Sequence, residues 1–132
     1  MPVVDASVAI RWFVDGPGAE RSAPWLREIT LVAPDLILAE AGSALWRYVR
    51  AGDLQMAEAT SILQRMPDSF ARLVPTAELA RDALLLAHEL DHSVFDCVYL
   101  ALAQREELGI LTLDAKLAGL AVRKGLRAEL LL

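Results

Sequence analysis

Short apolar runs alternate with longer stretches of helical periodicity, and this alternation constrains the fold more than any other feature of the chain. Candidate strands lie at 3–5, 30–33, 70–74, 109–113 and 128–131. Candidate helices lie at 19–29, 36–50, 54–66, 75–90, 94–107 and 114–124, and we expect Ser93 to be the N-cap of the helix at 94–107. This order is typical of an α/β domain with a mostly parallel sheet. We therefore predict that class, in one domain covering residues 1–132.

Composition excludes several other classes of protein. A length of 132 residues fits one domain, and a hydrophobic fraction of 55% excludes a disordered chain. The single cysteine excludes a disulfide scaffold and indicates a reducing compartment. No apolar run approaches the roughly 20 residues of a membrane span, and the first residues lack the cationic lead of a signal peptide. We expect a cytoplasmic protein that does not associate with a membrane.

The net charge of −5 argues against extended, non-specific binding of nucleic acid, which usually requires a basic face. An acidic balance still permits a small site at which carboxylates hold cations, because bound cations reverse the local charge.

Four acids stand in otherwise apolar surroundings. Asp5 and Asp114 each follow a candidate strand, whereas Glu40 and Asp96 lie within apolar helices. Ligands of parallel α/β sheets collect at the carboxyl ends of the strands. We therefore expect Asp5 and Asp114 to meet at one edge of the sheet, with Glu40 and Asp96 reaching the same cleft from their helices.

A charged carboxylate in an apolar setting is costly unless it is paired or bound to metal. The four acids could be protonated, salt-bridged or ligands of a cation, and the nearest basic residues in sequence are Arg11, Arg47 and Lys116. Because so few basic side chains are available to neutralise the acids, the pattern favours a site for a hard divalent ion. Mg²⁺ is the expected ion, and Mn²⁺ can replace it. Zinc is less favoured. The chain offers few of the softer nitrogen and sulfur ligands that zinc prefers, and the spacing of these residues matches no known zinc-binding pattern: His88, His92 and Cys97.

Each acid also has a structural alternative. Asp5 can cap the turn after its strand, and Asp114 can cap the helix that follows it. Glu40 can be a solvated helix position, and Asp96 can pair with Arg105 or with another cation elsewhere in the fold. The prediction of a site therefore depends on the four acids as a set.

The order and surroundings of these acids resemble the PIN domain, and specifically the VapC-type toxins of bacterial toxin–antitoxin pairs. The matching segments are VVDASVAIRWF, APDLILAEAGSALWR and HSVFDCVYLALAQREELGILTLDAKLAGLA. The resemblance implies a three-layer α/β/α sandwich and a Mg²⁺-dependent ribonuclease. It also implies an RNA substrate, a VapB-like antitoxin that blocks the active site, and a homodimer.

Site residues carry over position by position. The resemblance makes Asp5, Glu40 and Asp96 the core acidic triad and Asp114 the fourth acid, all catalytic and all metal-holding. It makes the hydroxyls of Ser7 and Thr112 hydrogen-bonding support. Arg11, close to an acid in sequence, is a candidate for contact with RNA phosphates, with a solvated surface role as the alternative.

Three positions depart from the residues common in the family. Ser43 stands where many relatives have Asn, Phe95 where tyrosine is common, and Leu117 where many have Phe. These departures leave the acid cluster intact and alter substrate contacts and pocket shape.

The predicted mechanism is metal-assisted hydrolysis of RNA, in which the ion activates water and neutralises charge on the phosphate. One alternative is a non-catalytic PIN-type module that binds protein. A second is a receiver-like phosphoacceptor domain, which ranks lower because Asp5 has no adjacent acid.

Overall fold

Five strands form one parallel sheet in the computed structural model, which describes residues 1–28 and 30–132. The strands are β1 Val3–Val4, β2 Val32–Pro34, β3 Arg72–Val74, β4 Ile110–Thr112 and β5 Ala128–Leu130. Their spatial order is β3-β2-β1-β4-β5, and every neighbouring pair is parallel. The predicted α/β class with a parallel sheet is confirmed.

Helices connect the strands. The α-helices are α1 Ala6–Arg11, α2 Ala19–Ser22, α3 Leu36–Arg50, α4 Met56–Arg65, α5 Ala80–Leu90, α6 Val94–Glu106 and α7 Ala115–Arg123. Short 3₁₀ helices lie at Ala23–Arg27, Met66–Ser69 and Thr76–Glu78. No helix in the described part of the chain combines the length and apolar character needed to cross a membrane.

Helix α6 is the central helix of the core. Its residues 97–103 are all buried, because it packs against β1, β2 and β4 on the sheet and against α5. A fully buried leucine contributes roughly 1.5–3 kcal/mol to folding, so this helix is a main source of stability. Side chains on α6 that reach the edge of the sheet are therefore held in place by the packing of the core.

The single predicted helix at 19–29 is wrong. The α-helix ends at Ser22, and a 3₁₀ helix follows at Ala23–Arg27. Pro24 explains the break, because proline has no N–H to donate and its ring clashes with the carbonyl four residues earlier. Ile29, the last residue of that prediction, lies outside the described residues.

The strand order places a switch point between β1 and β4. From β1 the chain adds β2 and then β3 on one side, whereas β4 and β5 lie on the other side. In open parallel sheets, ligands bind in the crevice at the carboxyl ends of the two strands that flank such a point. Here those ends are followed by Asp5 and by Leu113 and Asp114.

Candidate active site

Asp5 is a buried carboxylate at the end of β1, where it also caps α1. Ser7 Oγ donates to Asp5 Oδ1 at 2.6 Å, and Thr112 Oγ1 donates to Asp5 Oδ2 at 2.8 Å. Burial is the main cause that raises the pKa of Asp5, to about 6, and the nearby charge of Asp96 adds to the rise. The capping and site interpretations of this residue are therefore compatible.

The hydroxyls of Ser7 and Thr112 join the ends of β1 and β4. Ser7 Oγ accepts from the backbone N–H of Leu113 at 2.9 Å, and Thr112 Oγ1 accepts from that of Asp114 at 2.9 Å. These contacts agree with the predicted hydrogen-bonding support. They also fix the loop that carries Asp114 relative to Asp5.

Asp114 is exposed and caps α7, as its structural alternative predicted. Its Oδ1 accepts from the backbone N–H groups of Lys116 at 2.9 Å and Leu117 at 3.4 Å. The structure links Asp114 to Asp5 through Thr112 rather than by direct contact of the two carboxylates.

Glu40 is half-buried in the middle of α3 and is bound by a side chain of α6. The hydroxyl of Tyr99 donates to Glu40 Oε1 at 2.6 Å. Partial burial raises the pKa of Glu40, and the charge of Asp96 contributes to the same rise. Asp96 therefore lies near enough to Glu40 for its charge to act on that carboxylate.

Asp96 lies in the first turn of α6, and His92 approaches it from the preceding loop. His92 Nε2 is 2.7 Å from Asp96 Oδ2. The alternative pairing of Asp96 with Arg105 is wrong, because Arg105 binds Glu78 and Glu106 instead. The predicted N-cap Ser93 is confirmed, since its Oγ accepts from the backbone N–H of Phe95 at 3.2 Å.

The acid cluster, defined as Asp5, Glu40, Asp96 and Asp114, has one histidine partner, because His92 contacts Asp96. Within residues 1–28 and 30–132, none of its four carboxylates forms a salt bridge with lysine or arginine. In the same ranges, no group of three or more Asp, Glu, His or Cys side chains is placed closely enough to hold a metal ion. Apart from the contact of His92 with Asp96, the four carboxylates therefore have no basic partner in those ranges.

A groove of about 710 Å³ begins beside Glu40 and Ser7 and runs between α1 and α3. Its walls include Arg11, Arg47 and Tyr48. A second cavity of about 800 Å³ lies at the opposite end of the sheet, near Pro2, and none of the four acids lines it. Proximity to the acids, rather than size, makes the 710 Å³ groove the candidate substrate path.

Arg11 holds one wall of this groove. Its guanidinium donates to the backbone carbonyls of Val14, Asp15 and Pro17 at 3.2–3.3 Å and to the Tyr48 hydroxyl at 2.8 Å. These contacts support a loop in which Gly18 has a φ of +86° and approaches Leu113 closely. Contact of Arg11 with phosphate stays a prediction.

Sequence reasoning missed two residues of the site, Tyr99 and His92. Tyr99 lies on α6 three residues after Asp96, a spacing that brings the two side chains to one helix face, whereas His92 reaches Asp96 from the loop before α6. Applying that spacing to Asp96 could have found Tyr99. Of the three family departures, Phe95 and Ser43 are exposed, whereas Leu117 is buried in the core and cannot line the groove.

Fold and site together define a parallel α/β protein with an acidic cluster at its switch point. A family model described as PIN domain matches residues 3–122. The chain is 34% identical over 121 residues to Ribonuclease VapC3 of Pyrobaculum aerophilum, covering 88% of this chain and 91% of that protein. The chain therefore belongs to the PIN-domain family.

Solved structures agree with this assignment. The crystal structure of PAE2754 from Pyrobaculum aerophilum is similar with a TM-score of 0.75 and 27% identity, covering 96% of this chain and 81% of that one. FitAcB from Neisseria gonorrhoeae is similar in fold, with a TM-score of 0.63 and 19% identity, covering 97% of this chain and 96% of that one.

Proposed function

We propose that this protein is a metal-dependent endoribonuclease, the toxin of a VapBC-type toxin–antitoxin pair. The observation that carries the proposal is the acid cluster at the switch point, which has no lysine or arginine partner among the described residues. The similarity to Ribonuclease VapC3 supports RNA as the substrate.

The donor set of the acid cluster fits Mg²⁺ or Mn²⁺. Both ions prefer oxygen ligands, and Mg²⁺ usually keeps several waters while binding one or two carboxylates. Asp5 and Asp96 would hold the ion, with Glu40 and Asp114 completing its shell directly or through water. Burial, and to a smaller extent the charge of Asp96, raise the pKa of Asp5 and of Glu40, and a bound cation would counter both effects.

The chain's own residues orient the reaction. A bound divalent ion supplies a Lewis acid that activates water and stabilises negative charge on the phosphate. Ser7 and Thr112 hold both oxygens of Asp5, so this carboxylate cannot rotate freely. In-line attack of water on the phosphodiester then breaks the bond to the 3′-oxygen and leaves a 5′-phosphate and a 3′-hydroxyl.

The groove beside Glu40 would receive the RNA strand. Arg47 is exposed on its wall and forms no salt bridge within residues 1–28 and 30–132, so its guanidinium is free to contact phosphate. With one such arginine and a net charge of −5, the expected substrate is a defined structured RNA or one loop rather than long nucleic acid.

Cleavage of RNA by the purified protein, freed of antitoxin, tests this proposal. We expect cleavage with Mg²⁺ or Mn²⁺, none with EDTA, and restoration when metal is added in excess of EDTA. Asp5→Asn should abolish cleavage while the melting temperature stays at or above that of the wild type. Equal cleavage by wild type and Asp5→Asn would remove the metal-site assignment.

Calorimetric titration with Mn²⁺ separates the enzyme from a non-catalytic binding module. The enzyme should bind Mn²⁺, and Asp96→Asn should weaken that binding. A folded wild-type protein that binds no Mn²⁺ favours the protein-binding module.

The proposed partners are a VapB-like antitoxin and a second copy of this chain, in the cytoplasm. The antitoxin would cover the acid cluster, beside which Phe95 is 61% exposed. The homodimer is a family expectation, and exposed Leu84 and Leu85 on α5 offer apolar surface for an interface. Co-purification with the product of a neighbouring small gene, and sedimentation of the toxin alone, test these two partners separately.

A further inference from the structure

We propose that Tyr99 is a positioning residue, which holds the Glu40 carboxylate in the orientation that the acid cluster needs. The inference rests on the proposed metal site and deepens it. Its starting point is the 2.6 Å hydrogen bond from the Tyr99 hydroxyl to Glu40 Oε1, which joins α6 to α3.

The position of the Tyr99 hydroxyl is fixed by the core. The side chain is 1% exposed and lies in the middle of α6, whose residues 97–103 are all buried. Burial and the charge of Glu40 both raise the pKa of Tyr99 well above its ordinary value. In its bond to Glu40 the phenol O–H donates and the carboxylate accepts.

Glu40 needs such a donor more than the other acids do. It is half-buried, has a long flexible side chain, and is repelled by Asp96. Left alone, its carboxylate would turn towards solvent and away from Asp96, because this lowers both repulsion and desolvation. The bond from Tyr99 opposes that rotation at Oε1 and leaves Oε2 available to the cluster.

The spacing on α6 makes the arrangement economical. Tyr99 lies three residues after Asp96, so the two side chains share a helix face. One helix thus contributes an acid of the cluster and also the group that orients a second acid carried by α3.

Substitution of Tyr99 by Phe tests the inference, because it keeps the buried ring and removes only the hydroxyl. We expect the affinity for Mn²⁺, measured by calorimetry, to fall about tenfold, as is usual for loss of a group that orients a metal ligand. In RNA cleavage, kcat should fall while KM stays within about twofold of wild type, since Tyr99 does not touch the groove.

A matched control is Thr76→Val. Thr76 Oγ1 also donates to a carboxylate at 2.6 Å, that of Asp35, outside the acid cluster. This variant loses an equally short bond at the start of α3, so it should lower the melting temperature and leave the Mn²⁺ affinity unchanged. A similar loss of affinity in both variants would attribute the effect to general loosening of α3 and overturn the proposal.

Double substitution shows whether Tyr99 acts through Glu40. In a Glu40→Ala background, Tyr99→Phe should cause no further loss of Mn²⁺ affinity, and full additivity would overturn the proposal. The same cycle in melting temperature needs no metal: non-additive shifts support the contact even if the wild type binds no Mn²⁺ and the proposed function fails. Additive shifts would sink the Tyr99 proposal while leaving the proposed function untouched.

Discussion

The two ends of α6 carry acids under opposite electrostatic conditions. At its amino end, Asp96 lies beside His92, and its charge raises the pKa of both Asp5 and Glu40. At its carboxyl end, Glu106 forms ion pairs with Arg72 and Arg105. Hydrogen bonds from Arg72 and then Arg105 lower the pKa of Glu106. One helix therefore carries an acid that pairs with a histidine at one end and an acid that pairs with two arginines at the other.

This difference separates a structural use of charge from a functional one. The ion pairs of Glu106 lie near the surface, where such pairs add little stability. Asp5 and Glu40, beside the amino end, instead carry the cost of burying a carboxylate, to which the charge of Asp96 adds a smaller part. Such an unfavourable burial of negative charge is expected where a bound ligand supplies the missing positive charge.

The largest expected contrast is in catalysis, between Asp96→Asn and Glu106→Gln. Both substitutions remove one negative charge from α6 with little change in shape. Asp96→Asn should lower RNA cleavage by more than about 100-fold, since groups that merely orient metal ligands already contribute roughly 10–100-fold. Glu106→Gln should leave cleavage unchanged, and initial rates at saturating Mg²⁺ measure both.

Either of two outcomes would contradict the comparison between the two ends of α6. If both variants lose the same amount of cleavage activity, the overall charge of α6 controls the rate. If both keep full activity, the acid cluster is not catalytic. Circular dichroism of both variants establishes that each is folded before rates are compared.

The second contrast is in the pH dependence of stability. The pKa of Asp5 is raised to about 6 in the folded protein, above its ordinary 3.8, so the folded state binds more protons between these values. Asp5 therefore adds stability below about pH 4, and that contribution is lost as pH rises through about 6. The loss is about 3 kcal/mol, whereas Asp5→Asn should not show it.

Urea unfolding at several pH values between about 4 and 7, in EDTA, measures this effect as the difference between wild type and Asp5→Asn. As pH rises, the free energy of unfolding of Asp5→Asn should increase relative to that of the wild type. If the free energies of unfolding of the two proteins change in parallel with pH, Asp5 is not a buried carboxylate without a positively charged partner. Excess Mg²⁺ at pH 7 should stabilise the wild type more than Asp5→Asn, because only the wild type keeps the full ligand set.

Much of the fold and the identity of the acids could be predicted from sequence, because local signals were strong. The helix at Leu36–Arg50 has an apolar periodicity ended by Gly52, and its predicted bounds agree with the structure. Asp114 and Ser93 were predicted as caps from residue type and position, and both are caps. In contrast, the break at Pro24 was missed, because the helical periodicity of residues 19–29 was given more weight than the single proline within them.

The connections between acids could not be predicted, because they depend on tertiary geometry. Asp5 and Thr112 are separated by 107 residues and Glu40 and Tyr99 by 59, so no local pattern announces either hydrogen bond. The partner of Arg105 was equally hidden, since several acids were available in sequence. The acids themselves were visible from their apolar context, whereas the groups that orient them were not.

The smallest expected effect concerns Asp114, the acid for which both a structural and a functional role are expected. Asp114 caps α7 and also belongs to the acid cluster, so two substitutions separate its roles. Asp114→Asn keeps a good capping residue and removes the charge, whereas Asp114→Ser keeps a capping oxygen on a shorter side chain. Both should retain the free energy of unfolding within about 0.5 kcal/mol, and both should weaken Mn²⁺ binding.

Asp114→Ala completes the set, because it removes the cap together with the charge. It should lower the free energy of unfolding by about 1 kcal/mol, measured by urea denaturation, with the same loss of Mn²⁺ affinity as Asp114→Asn. If Asp114→Asn binds Mn²⁺ as tightly as wild type while Asp114→Ala is destabilised, the fourth acid is a cap alone. The metal would then depend on Asp5, Glu40 and Asp96, of which Asp96 contributes to the raised pKa of the other two.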